Sequence, residues 1–426
     1  MTINLRKILL FDEFLESCRA IKQEKWRYLF LFSQFIITSG LPKFYYDDNF
    51  LIINCILCAI LAIFHRVKWG RILIVMAIYA VMISIPIWLY GMDNIIYRQY
   101  IGYGIRILTG CFIASYFRSD FVSKFENLVF VLAYMSIPLF VLQLIDIHIY
   151  DIFSPLSRAV MGANEYTSNG VEYFTQYFFI YYQHGTAINR NSGFMWEPGA
   201  YAMMLTWAML FRLYISGYKF NHRLIVYFVA MLTTFSLMGY PSLMLLIIMF
   251  FAQRAEFKKI VYAFVGGGLL LLILLQTPLF LSQTNMMTRK AEFYREEAKV
   301  DMYRNSFVIE KNEKSVGRLA QFYILKDLFL DDPFGKGMSS VKYISPNAFI
   351  TLIVRWGINA ILILTISFYY FSKRLEQMAG INQHWYITLM AMAVLILPTI
   401  SNPVYNRVIF LAIVVFPLFA KRQILK

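Results

Sequence analysis

The sequence predicts an all-α, polytopic membrane protein, and two features of the 426-residue chain carry that prediction. Hydrophobic residues make up 59% of the sequence. Apolar runs that suffice to cross roughly 30 Å of hydrocarbon recur along the whole chain. Hydropathy indicates about twelve such runs. We therefore expect a single integral membrane domain, residues 1–426.

Short connections separate most of the predicted spans. The seventh and eighth spans are themselves short and hinge at Gly239-Tyr-Pro241-Ser, so a re-entrant pair and two full crossings both fit this part of the sequence. The spans are centred on residues 28–42, 49–64, 72–90, 99–117, 127–145, 197–216, 223–238, 241–253, 260–281, 348–371, 385–400 and 405–420.

Lys and Arg in the short connections set the predicted orientation, because basic residues in short loops resist translocation. They cluster in alternate connections and at both ends of the chain, as in His65–Arg71, Lys373-Arg374 and Lys421-Arg422. Both termini are therefore predicted to be cytoplasmic. The formal net charge of +15 then reflects topology and attraction to anionic lipid headgroups, and we expect no nucleic-acid partner.

Residues 1–25 are predicted to form a cytoplasmic interfacial helix. Between Leu5 and Ile21, apolar residues recur at helical spacing with charged residues between them. This pattern is typical of a helix that lies in the plane of the membrane interface.

The four cysteines give no sign of metal or redox chemistry. Cys55 and Cys58 form a C-x-x-C, yet they lie in an apolar run without further ligands nearby. Packing is the better interpretation of this pair. We expect neither a metal site nor a cofactor.

Two long segments, 147–190 and 282–345, are predicted to be extracytoplasmic loops. The first is rich in Tyr and Phe, which suits either the membrane interface or stacking on sugar rings. The second lies between the ninth and tenth spans and contains an amphipathic helix, with Ser315 as N-cap and its end before Pro333.

A cation and a carboxylate mark the start of the sixth span. The motif is Arg190-x-x-Gly193-x-x-x-Glu197-Pro198, which directly precedes an apolar helix. Charged side chains at the edge of a membrane span cost free energy and usually have a function. Farther along follow Gly317-Arg318, Asp332-Pro333-x-Gly335-x-Gly337, and Asn347 leading into Arg355-Trp-Gly357.

Taken in this order, these motifs resemble the O-antigen polymerase and O-antigen ligase superfamily of bacteria. The resemblance covers roughly residues 185–360 by motif and the rest by span count and the large late loop. It implies a metal-independent glycosyltransferase at the outer face of the cytoplasmic membrane. Its implied catalytic residues are Arg190, Glu197 and Arg318, and its implied substrate-binding residues are Gly193, Pro198, Asp332, Pro333, Gly337, Asn347 and Arg355.

The implied substrates are undecaprenyl-diphosphate-linked oligosaccharides, which serve as donor and acceptor, with inversion at the anomeric carbon. The leaving diphosphate needs positive charge at headgroup depth, and arginine supplies it through a planar fork that binds phosphate oxygens bidentately. Arg190 and Arg318 are the candidates for that clamp. A separate chain-length regulator is a further implied partner.

Glu197 has three possible roles. It can orient Arg190, stabilise the helix start together with Pro198, or accept the proton of the attacking sugar hydroxyl. The ligase branch usually has His before the Asn that here is Asn347, whereas this chain has Pro346. That departure favours a polymerase and leaves the catalytic base open among His184, Glu197, Asp331 and Asp332.

Three arginines fall inside predicted spans or at their ends, where an unpartnered guanidinium is costly. Arg355 either points into a cavity that holds the diphosphate or a sugar, or pairs structurally. Arg106 has the same two interpretations, and Arg407 is expected to extend outward to the interface.

The predicted function is polymerisation of lipid-linked repeat units into O-antigen, capsule or a similar surface polysaccharide. An O-antigen ligase that transfers glycan to a lipid A core is the nearest alternative. A lipid-linked oligosaccharide flippase is the transporter alternative, although the two halves of the chain show no internal duplication, which is common in such transporters. An intramembrane acyltransferase would use His within the spans, and we find none there.

Overall fold

A computed structural model provides the fold. It describes residues 11–39, 48–65, 67–91, 94–145, 155–156, 159, 167–168, 171–172, 174–177, 179–184, 189–236, 239–254, 329–330, 332–338, 348–401 and 404–420. The predicted ninth span, most of the predicted loop 282–345, Arg318 and Asn347 lie outside these residues.

The chain is mostly helical. In its first half the helices are α1 (Phe11–Gln23), α2 (Lys25–Thr38), α3 (Asp48–Phe64), α4 (Trp69–Tyr90), α5 (Asn94–Phe117) and α6 (Asp120–Ile145). Later come α7 (Pro198–Ile215), α8 (Arg223–Thr234), α9 (Gly239–Gln253), α10 (Ala348–Trp356), α11 (Ile358–Ala379), α12 (Trp385–Ile396), the 3-10 helix Leu397–Ser401, and α13 (Val408–Phe419).

Short antiparallel strands lie within the predicted loop 147–190, which departs from a purely helical fold. Aromatic residues favour strands, and this segment is rich in Tyr and Phe. The strands are β1 (Thr167–Ser168), paired with β2 (Val171–Glu172), and a separate sheet of β3 (Phe174–Tyr177), β4 (Ile180–His184) and β5 (Asn189–Gly193) in that order. In the register of β4 and β5, Gln183 lies opposite Arg190.

Helices overlap every predicted span within the part of the chain that the structure describes. Two of them, α4 and α6, are both long and apolar enough to cross a membrane. Several others, including α8, α9 and α13, are apolar but shorter. A count of twelve crossings stays a prediction, as does the choice between a re-entrant pair and two spans for α8 and α9.

Helix α7 lies at the centre of the packing. Residues 200–211 are buried without exception, and α7 contacts α6, α8, α9, α11 and α12. A helix that is apolar all round is typically enclosed by other helices. Its N-terminus therefore has a fixed position relative to most of the bundle.

The predicted tenth span is not one continuous helix, since α10 ends at Trp356 and α11 begins at Ile358, and a single crossing over 348–371 stays a prediction. The backbone breaks at Gly357, whose φ of +55° favours glycine. The amide of Ile358 donates to the carbonyl of Pro333 at 2.8 Å, and Lys336 N donates to Val354 O at 2.9 Å. The loop 332–338 thus supplies hydrogen bonds at the break, where the helical pattern is interrupted.

Side-chain contacts divide the helix ends into two groups, which we call the Arg355 end and the Glu126 end. At the Arg355 end, the Arg407 guanidinium lies over the Trp196 ring, and Tyr90 donates to Asp332. At the Glu126 end, Arg223 pairs with Glu126. Which end faces the cytoplasm stays a prediction.

The Glu126 end is held by buried ion pairs. Arg223 Nη1 lies 3.0 Å from Glu126 Oε2 and its Nε 3.4 Å from Glu13 Oε2, while Tyr227 donates to the Glu126 carboxylate at 2.9 Å. Because Glu13 belongs to α1, these contacts fasten the N-terminal helix to α6 and α8. The Phe14 ring adds a stack on Tyr134 with centroids 4.4 Å apart.

We predict that Gly357→Ala lowers the thermal unfolding midpoint of the purified protein in detergent. A Cβ at this position would overlap the backbone of residues 333–335. A left-handed conformation for alanine costs about 1–3 kcal/mol in addition. Gly70→Ala is the matched control, because its Cβ would meet nothing within 4 Å. Equal midpoints for the two variants would contradict this account of the break.

Candidate functional site

The candidate site lies at the Arg355 end, where α7 and α13 begin, where α10 ends and where the loop 332–338 packs. Aromatic and cationic side chains meet there. The structure places eight of the ten predicted site residues, all except Arg318 and Asn347.

Arg190 is bound to the end of a helix. Its Nε donates to the carbonyl of Thr234 at 3.0 Å and its Nη2 to the carbonyl of Phe235 at 2.9 Å. Phe235 ends α8 with φ +46°, and a cation at a helix C-terminus is stabilised by the helix dipole. The edge of the guanidinium formed by Nε and Nη2, which a phosphate would grip bidentately, is thus occupied by backbone.

Asn191 connects three segments, a role that the sequence did not suggest. Its side-chain amide donates to Ser136 Oγ on α6 at 3.1 Å and to Thr233 Oγ1 on α8 at 3.0 Å. Its carbonyl oxygen accepts from the amide of Gly193 at 2.8 Å. The stretch after Arg190 is therefore fixed on both sides of α7.

Gly193 is required for packing, and its predicted contact with substrate stays a prediction. It has φ +52°, and any Cβ there would overlap the ring of Tyr201 on α7. Tyr201 in turn shares a hydrogen bond of 2.9 Å with Ser136. The close approach sets the path of the chain from β5 to the start of α7.

Glu197 is the N-cap residue of α7 by position. Its carbonyl accepts from Tyr201 N at 3.1 Å, and Pro198 occupies the first helical position and is buried. The Glu197 side chain is half-buried and makes no capping hydrogen bond to the helix. Side-chain capping by a hydrogen bond is therefore not its role, whereas stabilisation of the helix start by its charge, orientation of Arg190 and proton transfer all stay predictions.

Arg355, in the last turn of α10, lies among aromatic rings. Its guanidinium carbon is 5.1 Å from the centroid of Tyr405. Tyr100 and Tyr103 lie close enough for electrostatic interaction with it. Its Nε is buried and donates no hydrogen bond to any group in the described part of the chain. No described carboxylate lies within salt-bridge distance of this cation.

Loop 332–338 supports the turn that carries Arg355. Asp332 accepts from Tyr90 and pairs with Lys336 at 3.0 Å. Burial raises the pKa of the Asp332 carboxyl, but these two hydrogen bonds outweigh burial and hold it below its ordinary value. At Gly337 a Cβ would overlap Tyr100 and Pro86. Asp332, Pro333 and Gly337, predicted to bind substrate, thus have structural contacts in this loop.

Arg407 precedes α13, and the expectation that it extends outward to the interface is wrong. Only 6% of the residue is exposed. Its guanidinium carbon lies 4.3 Å from the centroid of Trp196, the neighbour of Glu197. Snorkelling fails here because the aromatic face offers the cation an interaction inside the protein. Only the fold brings residues so far apart in sequence together, and no local pattern indicates this pair.

Two of the four candidates for the catalytic base are not among the described side chains. Asp331 lies outside the described residues, and so does the side chain of His184. Asp332 is engaged by Tyr90 and Lys336. Among the described side chains, His, Cys, Asp and Glu form no group able to hold a metal ion.

An apolar groove elsewhere in the molecule is a poor candidate. It lies between α7, α8 and α9 and is lined by residues such as Leu213, Phe220, Phe228 and Phe250. It offers almost no polar surface to a sugar or a phosphate. The Arg355 end is therefore the better site.

Comparison with protein-family models, with curated proteins and with solved structures finds no match to this chain. The functional assignment accordingly depends on the residues and their geometry.

We predict that Arg190→Ala lowers the unfolding midpoint in detergent, because it removes two charged hydrogen bonds from part-buried carbonyls at a cost of about 1–3 kcal/mol. Arg190→Lys should recover only part of this loss. Lysine keeps the positive charge at the end of α8, but its single ammonium nitrogen cannot occupy the positions of both Nε and Nη2. Lys219→Ala, at an exposed position, serves as control. An unchanged midpoint together with lost activity would instead assign Arg190 to the substrate.

Proposed function

We propose that this protein is a metal-independent glycosyltransferase of the bacterial cytoplasmic membrane. It polymerises undecaprenyl-diphosphate-linked oligosaccharide repeat units into O-antigen, capsule or a similar surface polysaccharide. The chain crosses the membrane about twelve times, with both termini inside. The Arg355 end faces outward.

The observation that carries this proposal is the environment of Arg355. A guanidinium stacked on Tyr405, with a buried Nε that has no acceptor among the described residues, is suited to an anionic ligand. Stacking engages the face of the guanidinium and directs its N–H groups in the plane, where they can meet phosphate oxygens. Around it, Tyr100 accepts a hydrogen bond from Met338 N and Tyr103 donates to the carbonyl of Tyr405, so both rings are held in place.

Glu197 supports the transfer step. The hydroxyl oxygen of the acceptor sugar bonds to the anomeric carbon of the donor, and the bond from that carbon to the phosphate oxygen breaks. The lipid diphosphate leaves with the electron pair, and the hydroxyl proton passes to a base. Glu197 is the candidate base, because its half-buried side chain makes no capping hydrogen bond to α7 and so is not engaged by the helix start.

Positive charge near the leaving group is the largest catalytic contribution that this site can offer. Arg355 supplies it directly in this proposal. Arg190 acts by holding β5 and the turn before α7 against the end of α8. Arg318 and Asn347 are proposed to complete the site, as the resemblance to the polymerases implies.

Reconstitution in lipid vesicles with a purified lipid-linked repeat unit tests the function. We expect a ladder of products that differ by one repeat unit. Transfer of a single glycan to a lipid A core would support a ligase instead. Movement of the lipid-linked unit across the bilayer without new glycosidic bonds would support a flippase.

The role of Arg355 is tested by Arg355→Gln in the same assay. Loss of one preorganised charge interaction should slow elongation about 10²-fold to 10³-fold. Arg98→Gln removes an exposed arginine from the start of α5, and we expect elongation at the wild-type rate. If the Arg355→Gln and Arg98→Gln proteins elongate glycan at the same rate, Arg355 does not belong to the catalytic site.

A further inference from the structure

The apolar groove between α7, α8 and α9 lies at the Glu126 end of the bundle. Leu213, which lines it, follows Arg212, and Leu224, which also lines it, follows Arg223. The volume of the groove is about 370 Å³. Pockets for small ligands typically enclose about 300–1,000 Å³. The groove is therefore large enough to hold part of a small molecule.

The shape of the groove suits an extended hydrocarbon chain. Its floor is closed, since Leu243 is 5% exposed and Leu246 2% exposed, whereas Phe220 at its mouth is 61% exposed. Along α9 the lining runs from Leu243 to Phe251, a rise of about 12 Å in helical geometry. All of the lining residues are apolar. A polar occupant would leave its hydrogen-bonding groups unsatisfied there, so the chemistry of the groove favours an acyl chain over a sugar or a peptide.

Basic side chains stand at one end of this groove. The guanidinium carbon of Arg254 lies 5.2 Å from the ring centroid of Phe250, and the His222 ring lies 6.0 Å from that of Phe220. Both phenylalanines line the groove. Lys219 directly precedes Phe220, and the side chains of Lys219 and Arg254 are exposed. An apolar groove with a positive rim matches the two parts of an anionic lipid.

One carboxylate also approaches the rim and does not cancel its charge. Glu13 lies 3.5 Å from His222 Nδ1 and 3.4 Å from Arg223 Nε. It is thus shared with Arg223, and Lys219 and Arg254 together outweigh it. The rim stays positive whether or not His222 is protonated.

We propose that this groove binds one acyl chain of an anionic glycerophospholipid, with the phosphate group at Arg254 and Lys219. Arginine carries five N–H donors, so it can bind a phosphate oxygen in addition to its contacts within the protein. Basic residues near the membrane surface attract anionic headgroups, whereas the acyl chain contributes through the apolar area that it buries. The site is separate from the Arg355 end, and it does not depend on the transfer reaction.

Native mass spectrometry of the full-length protein in detergent tests the inference. Dioleoyl phosphatidylglycerol and dioleoyl phosphatidylcholine, which have the same chains and differ in headgroup charge, are titrated separately. We expect the wild-type protein to bind phosphatidylglycerol more tightly. Arg254→Gln should reduce this preference about fivefold, because a basic residue near the membrane surface contributes about 1 kcal/mol to the binding of anionic lipid. Arg254 is exposed, so this variant tests the headgroup site without disturbing the core.

A second variant tests the groove itself. Ile247→Trp places a large side chain in the lining, and it should weaken binding of both lipids about tenfold or more, because it displaces methylene groups of the acyl chain. Ile74→Trp, on the exposed face of α4, is the matched control for the added ring. Lys22→Gln, at an exposed position of α1, is the control for the lost charge. Both controls should bind the two lipids as the wild-type protein does.

Three results would overturn the inference. An Arg254→Gln protein that keeps the wild-type preference would remove the headgroup site. Lipid binding that is unchanged in Ile247→Trp, together with a lower unfolding midpoint, would assign the groove to another segment of the chain, such as the predicted span 260–281. A dimer mass that falls to the monomer mass in Ile247→Trp would assign the groove to a second copy. None of these results involves glycan synthesis, so the proposed function is tested separately.

Discussion

An arginine side chain can enter an apolar helical bundle only where other groups interact with its charge. Arg223 lies between two carboxylates, Glu126 and Glu13. Arg190 donates to the two carbonyls that end α8. Arg355 and Arg407 lie over the rings of Tyr405 and Trp196. Aromatic rings lie against cations at both ends, since Arg223 also lies over Phe130, and an ion pair occurs at the Arg355 end between Asp332 and Lys336. What distinguishes the Glu126 end is that carboxylates from two helices share one arginine.

The ion pairs at the Glu126 end have a structural role. Carboxylates there satisfy the charge of Arg223 internally, and they join α1, α6 and α8 into one structural unit. The central helix α7 connects the two ends of the bundle. Near its C-terminus, Arg212 lies 3.8 Å from Glu126, and its N-terminus follows Trp196 at the Arg355 end.

Much of the helix layout could be predicted from hydropathy, since apolar runs and basic connections are local properties of the sequence. Long-range contacts could not. The Arg190 motif was found by its charge, but its attachment to Thr234 depends on where α8 ends. Arg407 resembled an ordinary interfacial arginine until the fold brought Trp196 to it. Likewise, Gly357 looked like one glycine in an apolar span, and only the loop at Pro333 shows why the backbone breaks there.

The backbones of Gly335 and Gly357 lie so close together that neither residue has room for a Cβ atom. A Cβ on Gly335 would come within 2.5 Å of Gly357 N, and a Cβ on Gly357 within 2.6 Å of Gly335 N. Neither position can therefore accept a larger residue while its counterpart keeps this backbone path. Over evolution the two sites should behave as a linked unit, with both glycines retained in homologues or both replaced together with a rebuilt connection.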